Sequence, residues 1–266
     1  MSSAEKLAEM SRKIKEDLGL RTHPLGIKFY KSKEFDEEFE KARRPLRNFN
    51  LRMALCQLIN ISRTYGWSVA TTLDDSYCIL GARVMGLIDE TPEYLPEDIA
   101  RFHAKDGEAG RAIWEGLERK CLPLGTTYGI LISPLTRMKA EPDVIVMYGT
   151  PTQIARLAKA FTWHGIFPEA MFIGVAACSS ISKAYSSGKP QLSIPCAGEV
   201  FLGRSEEDEM SIVFPAKLME NLVTGLEGTR VMFPYPAKFM MYEPRVLSGY
   251  RITYKDYEEW KKKKGQ

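Results

Sequence analysis

The sequence predicts an α/β protein of two similar lobes, produced by an internal duplication and packed around a shared interface. Strand-like and helix-like segments alternate along the chain, which is typical of α/β folds. Two cysteines and a proline of the first half recur in the second half at offsets of 118 to 122 residues, and similarity at one period indicates a repeat. The matching positions are Pro24 with Pro142, Cys56 with Cys178, and Cys78 with Cys196.

The first half shows regular helix and strand patterns. Apolar residues at spacings of three and four predict a helix over residues 3–18 that ends at Gly19. An alternating stretch predicts a strand over 24–30, and an acidic-to-basic stretch predicts a helix over 34–43. The remaining predicted elements are a helix over 53–65 with Cys56 at the edge of its apolar face, a strand over 67–72, a turn at Asp74 and Asp75 that leads to Cys78, and helical runs over 96–103 and 110–119.

The second half repeats this order of strands and helices. Residues 128–133 predict one strand, and the nearly continuous apolar run 142–148 predicts another that is covered on both faces. Thr150 as N-cap, with Gln153 three residues later, predicts a helix that begins at Pro151. The remaining predicted elements are a strand over 171–176, a helix from Ser179 after Cys178, strands over 199–202 and 210–214, a helix over 216–223 ended by Gly225, and a short helix near Tyr257.

These elements divide the chain into four parts. They are an N-terminal helix (1–23), a first lobe (24–120), a second lobe (121–233) and a C-terminal segment that wraps over the body (234–266). No low-complexity linker separates the lobes, so we expect them to share an interface. An apolar stripe near the C-terminal segment is expected to be core or a dimer surface, and it consists of Met232, Phe233, Phe239, Met240 and Met241.

Composition argues against several classes of partner. With 44% apolar residues the chain can bury a sizeable core, as its length allows. Its formal charge of +3 is nearly balanced, and no basic stripe carries interleaved aromatics, which argues against nucleic acid as a partner. Because no signal peptide and no apolar run of about 18 residues occurs, we expect a cytoplasmic protein that does not enter the membrane. The lysine run at 261–264 is expected to be a solvated terminus.

The four repeated cysteines are the candidate functional residues. A single free cysteine is most often a small buried apolar residue, but two thiols at equivalent places in each half would meet where related lobes share an interface. In the reducing cytoplasm such thiols act as ligands or nucleophiles rather than disulfides. We therefore expect Cys56, Cys78, Cys178 and Cys196 to hold one metal or iron–sulfur centre, with structural or separately reactive thiols as the alternative.

The spacing favours an iron–sulfur cluster, [4Fe–4S] first, over zinc. Zinc sites of four cysteines typically use pairs two to four residues apart, whereas 21 residues separate Cys56 from Cys78 and 17 separate Cys178 from Cys196. Ligands held between packed elements suit a thiolate-rich cubane, and zinc is the second choice. Because the duplication supplies two thiols per half, all four are expected to bind. Cys121 has no counterpart and is expected to be an ordinary core or surface thiol.

Several of these segments resemble a known family. They are PLGIKFY from Pro24, LCQLINISRTYGWSVATTLDDSYCILGARVMGL from Leu55, EPDVIVMYGTPTQIARLAKAF from Glu141, SSGKPQLSIPCAG from Ser186, and the strand from Met210. Over residues 24–226 the chain resembles the uncharacterised archaeal and bacterial domain-of-unknown-function family 169. Members of that family carry Cys-x-Gly-x-Arg at the last cysteine, whereas Val200 stands at the place of the arginine here. The resemblance implies no established activity.

The sequence lacks the motifs of several common enzyme classes. The sequence contains no GxGxxG, Walker, GxSxG or HExxH motif. His23, His103 and His164 are far apart in the sequence and are expected to be ordinary residues. Asp74 and Asp75 are most simply turn formers, with a general base beside the centre as the alternative.

Two functions from different classes remain. One is an iron–sulfur protein with a redox, electron-transfer or structural role, for which a redox partner protein or a homo-oligomer is the expected contact. The other is a metal-free module that binds a small ligand between its lobes. The sequence does not decide whether the protein is an enzyme.

Overall fold

Seven strands form one mixed β-sheet with helices packed on both faces. The computed structural model describes residues 2–171, 175–230 and 254–264. The strands are β1 (Leu25–Tyr30), β2 (Val69–Thr71), β3 (Gly129–Pro134), β4 (Val144–Gly149), β5 (Glu169–Met171), β6 (Gln191–Ser193) and β7 (Met210–Pro215). The helices are α1 (Ser3–Leu18), α2 (Glu37–Lys41), α3 (Leu55–Tyr65), α4 (Ile79–Val84), α5 (Tyr94–His103), α6 (Gly107–Glu118), α7 (Pro151–Trp163), α8 (Ala176–Ser187), α9 (Ala197–Phe201), α10 (Met219–Gly228) and α11 (Tyr254–Lys264), with a π-helical turn at Pro45–Phe49 and a 3₁₀ turn at Ala216–Leu218.

The two half-chains meet within the sheet, whose strand order is β2-β3-β1-β4-β7-β6-β5. The central pair, β1 and β4, is antiparallel, with Leu25 opposite Val146 and Ile27 opposite Val144. Antiparallel pairing continues outward through β3 and β2 on one side and through β7 and β6 on the other. β5 lies at one edge, parallel to β6. The predicted α/β class is confirmed, and the halves are joined in one sheet.

Different helices cover the two faces of the sheet. On the first face, Ile27 of β1 packs in a core that includes Ile181 of α8 and residues of α3, α4, α5 and α6. On the opposite face, Ile145 of β4 packs with Leu157 of α7 and with residues of α1 and α10. A smaller cluster around Phe39 of α2 covers the β3 side. The four repeated cysteines belong to helix starts on the first face.

Local sequence signals account for the ends of two long helices. The Ser2 side chain accepts a hydrogen bond from the Glu5 N–H at the start of α1, and Gly19 ends this helix with a left-handed φ of 61°. Thr150 and Gln153 form the predicted capping box of α7, with Pro151 at the first helical position. The helices predicted over 3–18 and from Pro151 are therefore confirmed, since these caps satisfy N–H groups that the helix itself leaves unpaired.

Two predictions near the second pair of cysteines are wrong. Residues Ala197–Phe201 form α9 rather than the strand predicted over 199–202. Glu199 accepts a hydrogen bond from the Cys196 N–H at 3.2 Å, and this half of a capping box favours a helix. Met171 belongs to β5 and Ala176 to α8, so the strand predicted over 171–176 does not reach Ala176 and the helix begins before the predicted Ser179; residues 172–174 lie outside the described residues. Two alanines at the start of α8 are strong helix formers, which accounts for its earlier start.

The C-terminal part of the chain is described over α11 alone. The predicted stripe lies outside the described residues, as does most of the predicted wrapping segment: Met232, Phe233, Phe239, Met240, Met241 and the stretch 231–253. The helix predicted near Tyr257 is confirmed as α11, in which Lys261 to Lys264 are exposed. None of the described helices has both the length and the apolar composition needed to cross a bilayer.

Candidate functional site

Each of the four repeated cysteines stands at the beginning of a helix. Cys56 is the second residue of α3, and Cys178 is the third residue of α8. Cys78 and Cys196 immediately precede α4 and α9. The first N–H groups of a helix have no partner within the helix. Each thiol therefore lies where backbone N–H groups are available to face a thiolate.

Gly81 lies between sulfurs of the two half-chains. A Cβ atom placed on Gly81 would be 3.4 Å from Sγ of Cys178 and 3.6 Å from Sγ of Cys78. Both sulfurs therefore lie within contact distance of one point on α4. The two sulfurs can be no farther apart than the sum of these two Cβ–Sγ distances. A side chain at this position would project toward both thiols.

Gly198 occupies a similar place beside the other two sulfurs. The Cys56 thiol donates a hydrogen bond to the Gly198 carbonyl oxygen at 3.3 Å. A Cβ atom placed on Gly198 would be 3.8 Å from Sγ of Cys196. Each of the two glycines therefore lies beside one sulfur from the first half-chain and one from the second.

The thiols also influence one another electrostatically. Burial raises the pKa of Cys56 to about 12, and the nearby thiols of Cys78 and Cys196 and the Glu199 carboxylate add to the shift. Burial, followed by the thiols of Cys78, Cys56 and Cys196, raises the pKa of Cys178 well above its ordinary value. The four thiols thus occupy one neighbourhood. At neutral pH, Cys56 and Cys178 are protonated in the metal-free protein.

Backbone N–H groups face three of the sulfurs, and that of Gln57 opposes the rise in the pKa of Cys56. The Gly81 N–H donates to Sγ of Cys78 at 3.3 Å. Burial and then the charge of Glu199 raise the pKa of Cys196, while N–H groups that include those of Glu199 and Ala176 oppose the rise. Such donors stabilise thiolates, and around a metal centre they tune its properties.

The site is partly open to solvent. Cys178 is buried, at 8% exposure, whereas Cys56, Cys78 and Cys196 are half-buried. Several large apolar side chains next to these cysteines in the sequence are exposed, namely Tyr77, Ile194, Val200, Phe201 and Leu202. A bound group would therefore lie close to an apolar part of the surface.

A buried carboxylate connects the two cysteine-bearing helix starts of the second half. Glu199 is 1% exposed. One of its oxygens, Oε1, accepts a hydrogen bond from the Tyr148 hydroxyl at 2.7 Å. The other, Oε2, accepts from the N–H groups of Ala177 at 2.9 Å and of Cys196 at 3.2 Å. Because Ala177 directly precedes Cys178, Glu199 holds both helix starts through one side chain.

Arg63 of α3 extends this network to Glu209. Its guanidinium carbon lies 4.2 Å from the centre of the Tyr148 ring. Its nitrogens donate to both carboxylate oxygens of Glu209 at 2.8 and 2.9 Å, and Arg63 and Glu209 are both buried. Removing one partner of such a pair is strongly destabilising. The pair therefore fixes α3, β4 and the segment before β7 relative to one another beside the site.

Cys121 and the histidines are engaged elsewhere. The Cys121 thiol donates to the Leu117 carbonyl oxygen at 3.4 Å, and burial raises its pKa. The histidines are found beside Lys15 (His23), beside Thr224 (His164) and in α5 (His103). The structure thus brings the four repeated cysteines together and does not add these residues to them.

Asp75 is a buried residue of the turn before Cys78, and its side chain is hydrogen-bonded. It is 1% exposed, and its carboxylate accepts hydrogen bonds from Arg44, from Thr72 and from the N–H of Leu46. Asp74 contributes its carbonyl oxygen to the Arg52 guanidinium. Both acids therefore build the turn before Cys78, as the turn interpretation requires.

A site for a single metal ion is not preformed in the part of the chain that the structure describes. No three Cys, His, Asp or Glu side chains among residues 2–171, 175–230 and 254–264 are placed to hold one ion. A thiolate bound to zinc lies about 2.3 Å from the metal. The four thiols are thus neighbours without surrounding one point at that distance.

Sequence reasoning did not identify Glu199, Tyr148, Arg63 or Glu209 as parts of the site. One signal was present, because a glutamate three residues after Cys196 has the spacing of a capping box, with cysteine in place of serine or threonine. Arg63 and Glu209 are 146 residues apart in the chain. A contact of that separation leaves no local pattern in the sequence.

Comparison with known proteins assigns a family and no activity. The profile of the family described as uncharacterised ArCR, domain-of-unknown-function family 169, matches residues 13–225. An uncharacterised protein of Methanocaldococcus jannaschii is 25% identical over 232 residues, which cover 84% of this chain and 95% of that protein. No solved structure is significantly similar. Since the family match spans most of the chain and all four repeated cysteines, this protein belongs to domain-of-unknown-function family 169, the uncharacterised ArCR family.

Proposed function

We propose that this protein binds an iron–sulfur cluster, most simply [4Fe–4S], through Cys56, Cys78, Cys178 and Cys196. The cluster would serve redox chemistry, electron transfer or a structural role. The observation that carries the proposal is the gathering of four thiols from both half-chains beside Gly81 and Gly198. Four sulfurs from distant parts of the sequence share this neighbourhood, which simple burial of cysteine as an apolar residue does not require.

The donor set suits such a cluster chemically. Thiolates are the ligands that iron–sulfur clusters use, and N–H groups directed at sulfur stabilise them. When bound, the cluster supplies one-electron redox chemistry or a rigid cross-link. Binding requires the thiolate form, so loading would release protons from Cys56 and Cys178, whose pKa values are raised in the metal-free protein.

The spacing of the cysteines in the sequence favours a cluster over zinc. Zinc sites of four cysteines typically use pairs two to four residues apart, whereas 21 residues separate Cys56 from Cys78 and 17 separate Cys178 from Cys196. In a cubane each cysteine binds a different iron, so its four thiolates surround a larger volume. Gly81 and Gly198 carry no side chain that would project among the sulfurs. We therefore keep zinc as the second choice.

We also infer that the two half-chains derive from one duplicated α/β unit. Outward from the central pair, the strand order is β1, β3, β2 on one side and β4, β7, β6 on the other. In each unit a cysteine-bearing helix precedes the short outer strand. Seven residues after its cysteine, α3 places Arg63 against Tyr148 of β4, and α8 places Tyr185 against Phe29 of β1. These parallels support a duplication in which β3 belongs to the first unit, although the predicted boundary placed it in the second lobe (121–233).

A cytoplasmic location and a redox partner protein are consistent with this proposal. A reducing compartment keeps thiols free for metal binding. Exposed apolar side chains next to half-buried ligands, such as Tyr77 and Phe201, suit brief contact with another redox protein. Weak electron-transfer encounters use small interfaces.

Purification without oxygen tests the proposed function. We expect brown protein with broad visible absorption that contains iron and acid-labile sulfide. A colourless preparation free of iron would contradict the proposal. Zinc in place of iron would identify a zinc protein with four cysteine ligands, and a small organic ligand in a metal-free preparation would identify a binding module.

A further inference from the structure

The two half-chains differ at the third position after their second cysteine. In the first half this residue is Gly81, three residues after Cys78. In the second half it is Glu199, three residues after Cys196. The Gly81 N–H donates directly to the Cys78 sulfur at 3.3 Å, whereas Glu199 adds a buried carboxylate beside the second pair of thiols. The site therefore has a carboxylate on one side and a glycine on the other.

The Glu199 carboxylate accepts three hydrogen bonds from the protein. Its two oxygens accept from the Tyr148 hydroxyl, the Ala177 N–H and the Cys196 N–H at 2.7 to 3.2 Å. These three donors fix the orientation of the side chain. Two of the three donors belong to the helix starts that carry Cys178 and Cys196.

Glu199 is placed to affect both the positions of the thiols and the electrostatic potential around them. It is the side chain that joins the first turn of α8 to the residue before α9, so its loss would release both segments. Its negative charge lies beside the ligands, because Oε2 accepts from the Cys196 N–H at 3.2 Å and from the Ala177 N–H, next to Cys178, at 2.9 Å. A nearby negative charge disfavours the addition of an electron to a bound centre, because like charges repel.

We propose that Glu199 is a positioning residue that sets the separation of the Cys178 and Cys196 thiols and lowers the reduction potential of the centre they hold. The effect on potential rests on the proposed iron–sulfur function. The positioning role does not, because it concerns the arrangement of thiols in the metal-free protein as well. The Tyr148 hydroxyl donates to the carboxylate, and the Arg63 guanidinium packs over the Tyr148 ring.

Two substitutions separate the effect of Glu199 on the positions of the thiols from its effect on the reduction potential. In Glu199→Gln, the amide oxygen can accept from the two N–H groups and the amide nitrogen can donate to the Tyr148 oxygen, so the geometry is kept while the charge is lost. In Glu199→Ala, both the hydrogen bonds and the charge are lost. A matched control is Asp143→Asn, which removes the charge of a carboxylate that accepts from the Phe29 N–H at 2.7 Å and that is not among the main groups that shift the pKa of these thiols.

Anaerobic protein would be assayed for iron content, retention of iron against a chelator, and midpoint potential. Glu199→Gln should keep the iron content of the wild type and shift the midpoint potential to a more positive value. Glu199→Ala should weaken iron retention by about 10- to 100-fold, as loss of a residue that orients metal ligands typically does. Asp143→Asn should change neither. An unchanged potential in Glu199→Gln, or unchanged retention in Glu199→Ala, would overturn the inference.

Thiol alkylation of the metal-free proteins keeps this inference separate from the proposed function. Peptide mapping after a short pulse of iodoacetamide should show faster modification of Cys178 and Cys196 in Glu199→Ala than in Glu199→Gln, which has also lost the charge, with Cys121 unchanged. Equal rates for Cys178 and Cys196 in the two variants would overturn the positioning role. Wild-type protein without iron would instead overturn the proposed function and the effect on potential, and the alkylation result would then decide the positioning role.

Discussion

At the scale of the residue, burial favours the neutral form of two of the proposed ligands. Burial raises the pKa of Cys56 to about 12 and that of Cys178 well above its ordinary value. The proposed metal centre would reverse this preference because a bound metal stabilises the thiolate. Binding of the proposed centre would therefore displace the protons of Cys56 and Cys178.

Serine substitutions test which thiols bind. Each of Cys56→Ser, Cys78→Ser, Cys178→Ser and Cys196→Ser should lower the iron content or shorten the lifetime of the cluster, because in the proposed cluster each cysteine would bind a different iron. Cys121→Ser should leave both unchanged, since its thiol is bonded to Leu117. Iron and sulfide analysis measures this directly. A wild-type cluster with three thiolates and water or a small molecule on the fourth iron would contradict saturation and point to an enzyme.

Substitution of Gly81 tests whether the space between the sulfurs is used. In Gly81→Ala the new methyl group would lie 3.4 and 3.6 Å from two sulfurs, which are ordinary contact distances, so the metal-free protein should fold normally. Alanine in a helix is also about 1 kcal/mol more favourable than glycine. We expect unchanged or higher stability against urea together with a lower cluster content. Full cluster content would show that the centre does not occupy this space.

The raised thiol pKa values predict how the stability of the metal-free protein depends on pH. The folded-state pKa of Cys56 is about 12, above the ordinary 9.0, so folding favours its neutral form. This contribution is fully present below the ordinary pKa and is lost as the pH rises toward the folded-state value, because the unfolded chain then gains by ionising the thiol. Urea unfolding at about pH 7 and about pH 10 should therefore show a larger fall in stability for the wild type than for Cys56→Ser. Equal falls would contradict the assignment.

At the scale of the element, some segments followed from sequence pattern and others did not. The periodic apolar positions and caps of α1 and α7 were sufficient to predict both helices. The short helix α9 was predicted as a strand because Val200 and Phe201 favour strands in isolation. A cap on Cys196 from Glu199 overrides that preference. The contacts that make the site, such as Glu199 with Tyr148 and Arg63 with Glu209, are long-range and could not be read from local pattern.

Among the contacts between helices and strands beside the site, the Arg63–Glu209 ion pair should contribute most to the stability of the fold. Arg63→Ala leaves the buried Glu209 carboxylate without its partner, which typically costs about 3–5 kcal/mol. The double variant Arg63→Met/Glu209→Leu should recover part of this loss because no unpaired charge remains. Lys41→Ala, in an exposed pair with Glu37, serves as control and should cost about 1 kcal/mol or less. Urea unfolding would decide, and a loss for Arg63→Ala as small as that control would contradict the account.

At the scale of the whole molecule, the candidate centre lies where the two half-chains meet. The sequence repeat predicted the α/β class and the pairing of cysteines across the halves. It did not predict that the halves would share one sheet through β1 and β4, because strand pairing between distant segments leaves no periodic signal. Each glycine at the site contacts a sulfur from both halves. A centre bound there would link the halves and stabilise the molecule against unfolding.

The location of iron in crystals grown without oxygen tests the central claim most directly. Anomalous diffraction at the iron edge should show one compact group of iron atoms, with the sulfurs of Cys56, Cys78, Cys178 and Cys196 each about 2.3 Å from a metal atom. Iron at another place, no iron at all, or four sulfurs scattered more than about 10 Å apart would contradict a single centre, since thiolate–metal bonds are far shorter than that.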